Sequence, residues 1–332
     1  MPAGTRCEFW STVAVYHILP YVGRLSFSGS AAVILFSPDT VADDTLSHSR
    51  RNESADILAE VNGSSVHIRP LTSHGDYDAC VALQREVWGS EYDEAVPASL
   101  LQVVPYVGGL VLGAFSADRE LLGFVFGLTG PKNDEIIHWS HALGVREAAR
   151  NLGVGRLLKD YQRAELARRG IRSMYWTFDP LIAKNAHFSL NRLGARVVEY
   201  VPDMYGTTRS PLHHGLATDR FVVVCSTTQP AAKPRRLAPN GSPNTLILAD
   251  TTPSPEVLFP GGAQLPRAIW IEVPTDFNEV LAASPSSAAV WQSAIRRNFQ
   301  WALRNRYAVT GLHRDPVTSR SFYTLELEPA AP

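Results

Sequence analysis

The segment Arg150-Asn151-Leu152-Gly153-Val154-Gly155 constrains this chain more than any other, because it joins an apolar run to a strongly amphipathic one. The run before it, residues 136–145, is rich in β-branched and aromatic residues and too short for a typical helix, so it reads as a buried strand. After it, Leu157, Leu158, Tyr161, Ala164, Leu166 and Ala167 recur at helical spacing, with Arg156, Lys159, Arg163, Glu165, Arg168 and Arg169 on the other side. A helix therefore opens at the glycines. Gly153 and Gly155 lack the Cβ that would hold an anion off the backbone, and the helix start leaves unpaired N–H groups at the positive end of its dipole. Pyrophosphate is the natural guest of such a turn.

Spacing separates the alternatives. A Walker loop closes with Gly-Lys-Ser/Thr, whereas Gly155 is followed by Arg156 and Leu157. A dinucleotide fold places a third glycine in the turn and an acidic residue about 20 positions on. Here the next strand carries no acid until Asp179. A plain strand-to-helix turn is the remaining alternative.

Along the chain, residues 66–71 alternate as a strand, 77–88 form a helix, and Pro97 opens a second helix reaching Val104. Residues 109–115 and 121–129 make a hairpin around 116–120. Beyond the phosphate helix, 172–178 is a strand, 182–193 a helix ending at Gly194, and 196–201 and 221–225 are strands.

Both the turn and this element order resemble the GNAT superfamily, the acetyl-CoA-dependent N-acyltransferases. Arg150, Gly153 and Gly155 fill its signature Gln/Arg-x-x-Gly-x-Gly/Ala. Ser140-His141-Ala142-Leu143-Gly144-Val145 looks like the superfamily's splayed fourth strand. Trp176-Thr177-Phe178-Asp179-Pro180-Leu181, with Asn185-Ala186 and Leu193-Gly194-Ala195, looks like its fifth strand, fourth helix and following turn, and resembles a poorly characterised subgroup more narrowly. The match spans residues 66–225. It implies an α/β (α+β) fold with a mixed, mostly antiparallel central sheet flanked by helices.

It also implies acetyl-CoA, or another acyl-CoA, as cosubstrate, with no metal. Main-chain groups of Leu143 and Val145 would pair with pantetheine, and the amides of Arg150, Asn151, Leu152, Gly153, Val154 and Gly155 with pyrophosphate. Arg150 and Arg156 would add charge-assisted contacts to phosphate or else line a solvated helix start, and Asn185 would contact the cofactor or cap local backbone. The implied reaction is acyl transfer to a small-molecule or peptide amine by direct attack; the alternative is a catalytically inactive acyl-CoA-binding module.

Acid–base residues are less legible. His141 sits where the superfamily opens its strand for the thioester and titrates near neutrality, so it is the first general-base candidate, against the plainer role of a core histidine. His138, three positions earlier, faces the other side of a regular strand. Glu135 before this strand and Asp179 after the next are carboxylates within reach of a pocket, or ordinary turn acids. The chain departs from the family where many members carry a tyrosine that protonates the leaving thiolate: that position is Leu190. Tyr175, Tyr200 and Tyr205 are the replacements to consider.

Lys plus Arg number 31 and Asp plus Glu 32, so no global field draws the chain to nucleic acid or an anionic membrane. The 3 cysteines lack metal or disulfide spacing, which places the protein in the reducing cytosol. Charged and turn residues interrupt the apolar stretch 9–38 before it reaches a bilayer-spanning length, and it imitates a signal peptide poorly. Residues 1–65 are expected to be a disordered or over-extended N-terminal segment. No methionine lies between Met1 and Met174, so a later start would need a non-AUG codon such as that of Val61. The expected units are a GNAT domain over 66–226, a Pro-containing linker over 227–244, and a smaller C-terminal α/β extension over 245–329. That extension reads as a degenerate half of a GNAT domain or a flap that finishes the pocket, and the sequence leaves room for a homodimer.

Overall fold

A computed structural model describes residues 57–61, 64–90, 92, 94–206, 215–229, 246–261 and 263–329. The expectations for residues 1–56, and for the stretch 227–244 beyond residue 229, lie outside these. The first sheet has eight strands: β1 (Ile57–Val61), β2 (Ser64–Pro70), β3 (Leu110–Phe115), β4 (Leu121–Lys132), β5 (Glu135–Val145), β6 (Ser173–Phe178), β7 (Arg196–Val201) and β8 (Arg220–Ser226). They lie in the order β1-β2-β3-β4-β5-β6-β8-β7, and each neighbouring pair is antiparallel except β5 with β6.

Alternation along β4 divides the helices between the two faces. Val125 belongs to the core cluster of Leu158 and Tyr161 on α3 (Val154–Arg168), whereas Phe124 and Phe126 join Tyr77, Cys80 and Leu83 of α1 (His74–Trp88). The period of two places successive side chains on opposite faces, so one strand serves both layers. Ser73 caps α1 in a reciprocal capping box with Asp76, and Arg69 from β2 closes on that same carboxylate with two bonds of 2.8 Å. α2 (Ala98–Val103) follows Pro97 and lies against α1.

Two elements differ from the sequence reading. Pairing begins earlier than residue 66, since β1 is already antiparallel to β2. The helix expected over 182–193 is a short α4 (Ala183–Ala186) that widens into a π-helical turn over His187–Arg192, where Leu193 N reaches Phe188 O at 3.0 Å. Such one-turn widenings recur at functional sites. This one presents Phe188 and Ser189 to the cavity described below.

The C-terminal residues form a second sheet of β9 (Leu246–Leu248), β10 (Ala268–Val273), β11 (Tyr307–Arg314) and β12 (Ser321–Leu327), ordered β11-β12-β10-β9. It repeats the pairing scheme of the first sheet's last four strands. β9 runs parallel to β10 as β5 does to β6, and β10-β12-β11 matches β6-β8-β7 in order and direction. Where α3 stands in the first sheet, the second has only the four-residue α5 (Pro255–Leu258). α6 (Phe277–Ala283) and the 20-residue α7 (Pro285–Arg304) complete it.

Both sheets fall within one compact unit. Asn191 brackets Leu312 with bonds of 2.7 and 2.9 Å to its backbone, and Tyr323 donates to Pro180 O at 2.8 Å. Arg296 on α7 grips Asp219 with bonds of 2.9 and 2.5 Å, and the same buried carboxylate accepts from Tyr200 at 2.5 Å. Burial and the adjacent Asp219 charge push the Tyr200 hydroxyl well above its usual pKa, so it stays a donor.

Candidate active site

β5 and β6 are paired only at His138–Met174 and Trp139–Tyr175. Beyond that point β5 stays on β4 and β6 stays on β8, so the two parallel strands part and leave a gap. The β4–β5 register also jumps, from Phe126–Ala142 to Gly127–Ser140, and leaves His141 unpaired in a bulge. A bulge re-aims a side chain at the cost of one ladder position. His141 accordingly turns outward against Phe126, with ring centroids 5.2 Å apart, while His138 is fully buried.

The gap opens into a cavity of about 500 Å³. Its walls include Trp88 at the end of α1 with Tyr92 and Glu94 beyond it, His141 to Leu143 on β5, and Thr177 and Phe178 on β6 with Asp179 just after. Asn185 and Phe188 come from the helix after β6, and Phe277, Asn278 and Gln292 come from the C-terminal half. Gln292 is held by a 2.6 Å bond to Ala217 O, which ties that wall to the loop before β8.

The glycine turn lies at the far end of β5. Gly153 has φ 91° and Asn151 φ 64°, so the backbone enters the left-handed region twice before α3 begins. Only glycine takes φ 91° without strain. Gly155 is different: a Cβ there would sit 3.5 Å from Val145 Cγ2 and 3.7 Å from Leu143 Cδ2, ordinary van der Waals contact. The fold explains Gly153 and does not require Gly155. No side chain caps this helix start, so its first N–H groups have no partner within the helix. Arg150 Nε donates to Val145 O at 3.2 Å, and Arg156 pairs with Asp160 at 2.9 Å on the helix surface.

Of the residues singled out from sequence, the structure brings Leu143, His141, Asp179 and Asn185 to the cavity. Arg150, Asn151, Leu152, Val154 and the two glycines form the turn, with Arg156 one residue beyond. Glu135 is exposed at the opposite end of β5, in the hairpin with Lys132, away from the cavity walls. Burial holds the His141 imidazole below its usual pKa, which leaves it neutral and able to accept a proton at pH 7. The Asp179 carboxyl is pushed up by burial, and Arg220 at 3.6 Å opposes the shift. One of its oxygens accepts from Leu181 N at 2.8 Å, which fixes the turn at Pro180.

Of Tyr175, Tyr200 and Tyr205, the last lines the cavity, with its hydroxyl 3.1 Å from Thr177 Oγ1. Tyr175 stacks on Trp139, their ring centroids 6.4 Å apart, and Tyr200 is committed to Asp219. Leu190 is a core residue at 4 % exposure.

Sequence reasoning missed Lys159. Periodicity put it on the solvated side of α3, yet it is 3 % exposed and lines the floor of the cavity. Its Nζ donates to Ser140 Oγ at 2.6 Å and Gln162 Oε1 at 3.4 Å, and lies 4.5 Å from the Trp176 ring centroid. Ser140 in turn donates to Gln162 Oε1 at 2.9 Å. With Oε1 accepting, Gln162 Nε2 donates to His138 Nε2 at 3.0 Å, which assigns the ring proton to Nδ1 and its 3.0 Å bond to Thr129 Oγ1. The available signal was the pair of polar residues, His138 and Ser140, on the strand face that meets α3.

No family model and no curated protein matches the chain. Solved structures do match. An aminoglycoside 6'-acetyltransferase type Ii is similar at 20 % identity and a TM-score of 0.38, over 49 % of this chain and 98 % of its own. An aminoglycoside 6'-N-acetyltransferase complexed with coenzyme A is similar at 17 % and 0.38, over 50 % and 99 %. Ard1 from Thermoplasma volcanium is similar at 14 % and 0.39, over 49 % and 99 %. The first sheet and its helices form a mixed, mostly antiparallel architecture with one parted parallel pair and a glycine turn at the start of α3.

Proposed function

We propose that the chain is an acyl-CoA-dependent N-acyltransferase that moves an acetyl or other acyl group to an amine by direct attack. The observation that carries this reading is the gap between β5 and β6, which runs from the uncapped start of α3 into a cavity of about 500 Å³. The pyrophosphate of CoA docks on the amides from Arg150 to Gly155, and the pantetheine arm lies along Leu143 and Val145 in place of the missing strand neighbour. Arg150 and Arg156 add charge to phosphate by exchanging their present partners. Asn185 lies beside the arm.

The amine nitrogen then attacks the thioester carbonyl carbon, the new C–N bond forms, and collapse of the tetrahedral oxyanion breaks C–S and releases the CoA thiolate. His141, neutral in its bulge, takes the proton from the amine directly or through water. The Tyr205 hydroxyl supplies the proton to the thiolate, the role left open at Leu190. Trp88, Tyr92, Glu94 and Asp179 give the acceptor side aromatic faces and carboxylates, which suits a protonated small-molecule or peptide amine. Cys80 and Cys225 are free and buried, in keeping with a reducing cytosol. Among the described residues no helix is long and apolar enough to cross a membrane.

Calorimetric titration with acetyl-CoA, of wild type and of Gly155→Glu, tests the reading. Residue 155 tolerates a Cβ, so the variant folds, while its carboxylate takes the phosphate position. Affinity is expected to fall about a hundredfold or more, as several charge-assisted bonds are lost. Absence of wild-type binding to acetyl-CoA and to longer acyl-CoAs overturns the proposal. Binding without turnover over a broad amine panel would leave a cofactor-binding module instead.

A further inference from the structure

Among the described residues the Lys159 ammonium has no counter-ion. The Nζ contacts are the Ser140 hydroxyl, the Gln162 carbonyl oxygen and the Trp176 ring, all neutral. The titratable groups facing it are Cys225 on β8 and His138 on β5; burial pushes the thiol up and holds the imidazole down to about 3, so both are neutral as well. A buried, uncompensated cation is costly, and a chain normally avoids one or pairs it. Two hydrogen bonds also leave one of its three N–H donors unused. Burial without a partner pulls the lysine down from 10.5 to about 7, so the site holds charge only marginally until an anion arrives.

Position gives the identity of that anion. Ser140 and Trp176 are the first residues beyond the last β5–β6 pair, so Lys159 lies at the apex of the gap, with the glycine turn at its open end. A CoA that enters from the turn and runs along β5 reaches this apex with its acyl group. The hydroxyl of Ser189, which accepts from Trp176 Nε1 at 3.1 Å, lines the same cavity and keeps its own proton to donate.

We propose that Lys159 receives a carboxylate at the end of the acyl chain, and that the preferred donor is a dicarboxylic half-thioester such as malonyl- or succinyl-CoA. This rests on the cofactor reading above and deepens it. The transferred bond is unchanged: C–N forms, C–S breaks, and the distal carboxylate stays bound throughout.

The test is calorimetric titration of the full chain at pH 6.5 with CoA, butyryl-CoA and succinyl-CoA, which share the binding arm and differ only at the acyl end. Wild type is expected to prefer succinyl- over butyryl-CoA by about tenfold to a hundredfold, as one charge-assisted pair contributes. In Lys159→Met that preference falls to near unity. At pH 8 succinyl-CoA binding to wild type takes up a proton, read as an enthalpy that changes with the buffer. Failure of CoA itself to bind defeats the cofactor reading. CoA binding with no succinyl preference in wild type overturns the Lys159 assignment alone, even where the variant does not fold. A preference that instead follows the carboxylate of an amino-acid acceptor, or succinylation of Lys159 found by mass spectrometry, overturns it too.

Discussion

Replacing Lys159 with methionine should stabilise the fold in acid and lose that advantage in base. The ammonium is buried at 3 % exposure, and its pKa falls from 10.5 to about 7. A depression of that size, at about 1.4 kcal/mol per unit, corresponds to ~5 kcal/mol against the charged form in the folded state. Between pH 7 and 10.5 the unfolded chain holds more protons than the folded one, so wild-type stability rises with pH across that window. Below pH 7 both states are protonated and the full cost remains. Methionine nearly matches the lysine stem in volume, and Ser140 keeps its 2.9 Å bond to Gln162. The 2.6 Å hydrogen bond and the Trp176 contact are lost, and together these offset about 1–3 kcal/mol. Lys159→Met should therefore be more stable by about 2–4 kcal/mol at pH 6, and, with about 4 kcal/mol of the cost relieved by pH 10, equal to wild type or up to about 2 kcal/mol less stable there. Urea unfolding at both pH values, followed by tryptophan fluorescence, gives the two differences. A variant less stable than wild type at pH 6, or a difference that does not change with pH, refutes the reasoning.

Three further outcomes follow from the same geometry. His141→Gln should lower kcat by about a hundredfold to ten-thousandfold without loss of stability, and the acid limb of the wild-type rate should lie below pH 6.5 because burial depresses the imidazole; an unchanged rate removes it as base. Arg296→Ala strands Asp219, which is 2 % exposed, and should cost about 3–5 kcal/mol in denaturant unfolding; a loss under about 1 kcal/mol would show that water reaches the carboxylate. His138, held down to about 3, makes the folded state resist protonation, so wild-type stability should decline as pH falls from 6.5 towards 3. His138→Gln removes that site, and its acid unfolding curve should be shallower by up to about 1.4 kcal/mol per pH unit in that window.

Local chemistry made much of this protein readable. The Gly153–Gly155 turn, the helix after it and the strands of the first sheet from β2 onward are visible because period, β-branching and glycine placement act over a few residues. β1 escaped because five residues set in a polar stretch carry little periodic signal; the Asn62-Gly63 pair beside it was the hairpin cue available. The widened turn at His187–Arg192 follows from packing, to which periodicity is blind.

Sequence alone determined where the glycine-led start of α3 lies and which strands flank it, since those depend on bonds within one segment. Tertiary structure decided which polar residues meet. Glu135 and His141 share a strand, and only the bulge and the parting of β6 turn one of them into the cavity. Lys159 wears the pattern of a solvated helix face, and only the docking of α3 beneath Ser140 and Trp176 buries it. The C-terminal wall of Phe277, Asn278 and Gln292 comes from α6 and α7, the helices that accompany a second sheet repeating the first sheet's pairing. Contacts between residues far apart in the chain are set by how layers pack, and that information is spread over the whole sequence rather than held in any one motif.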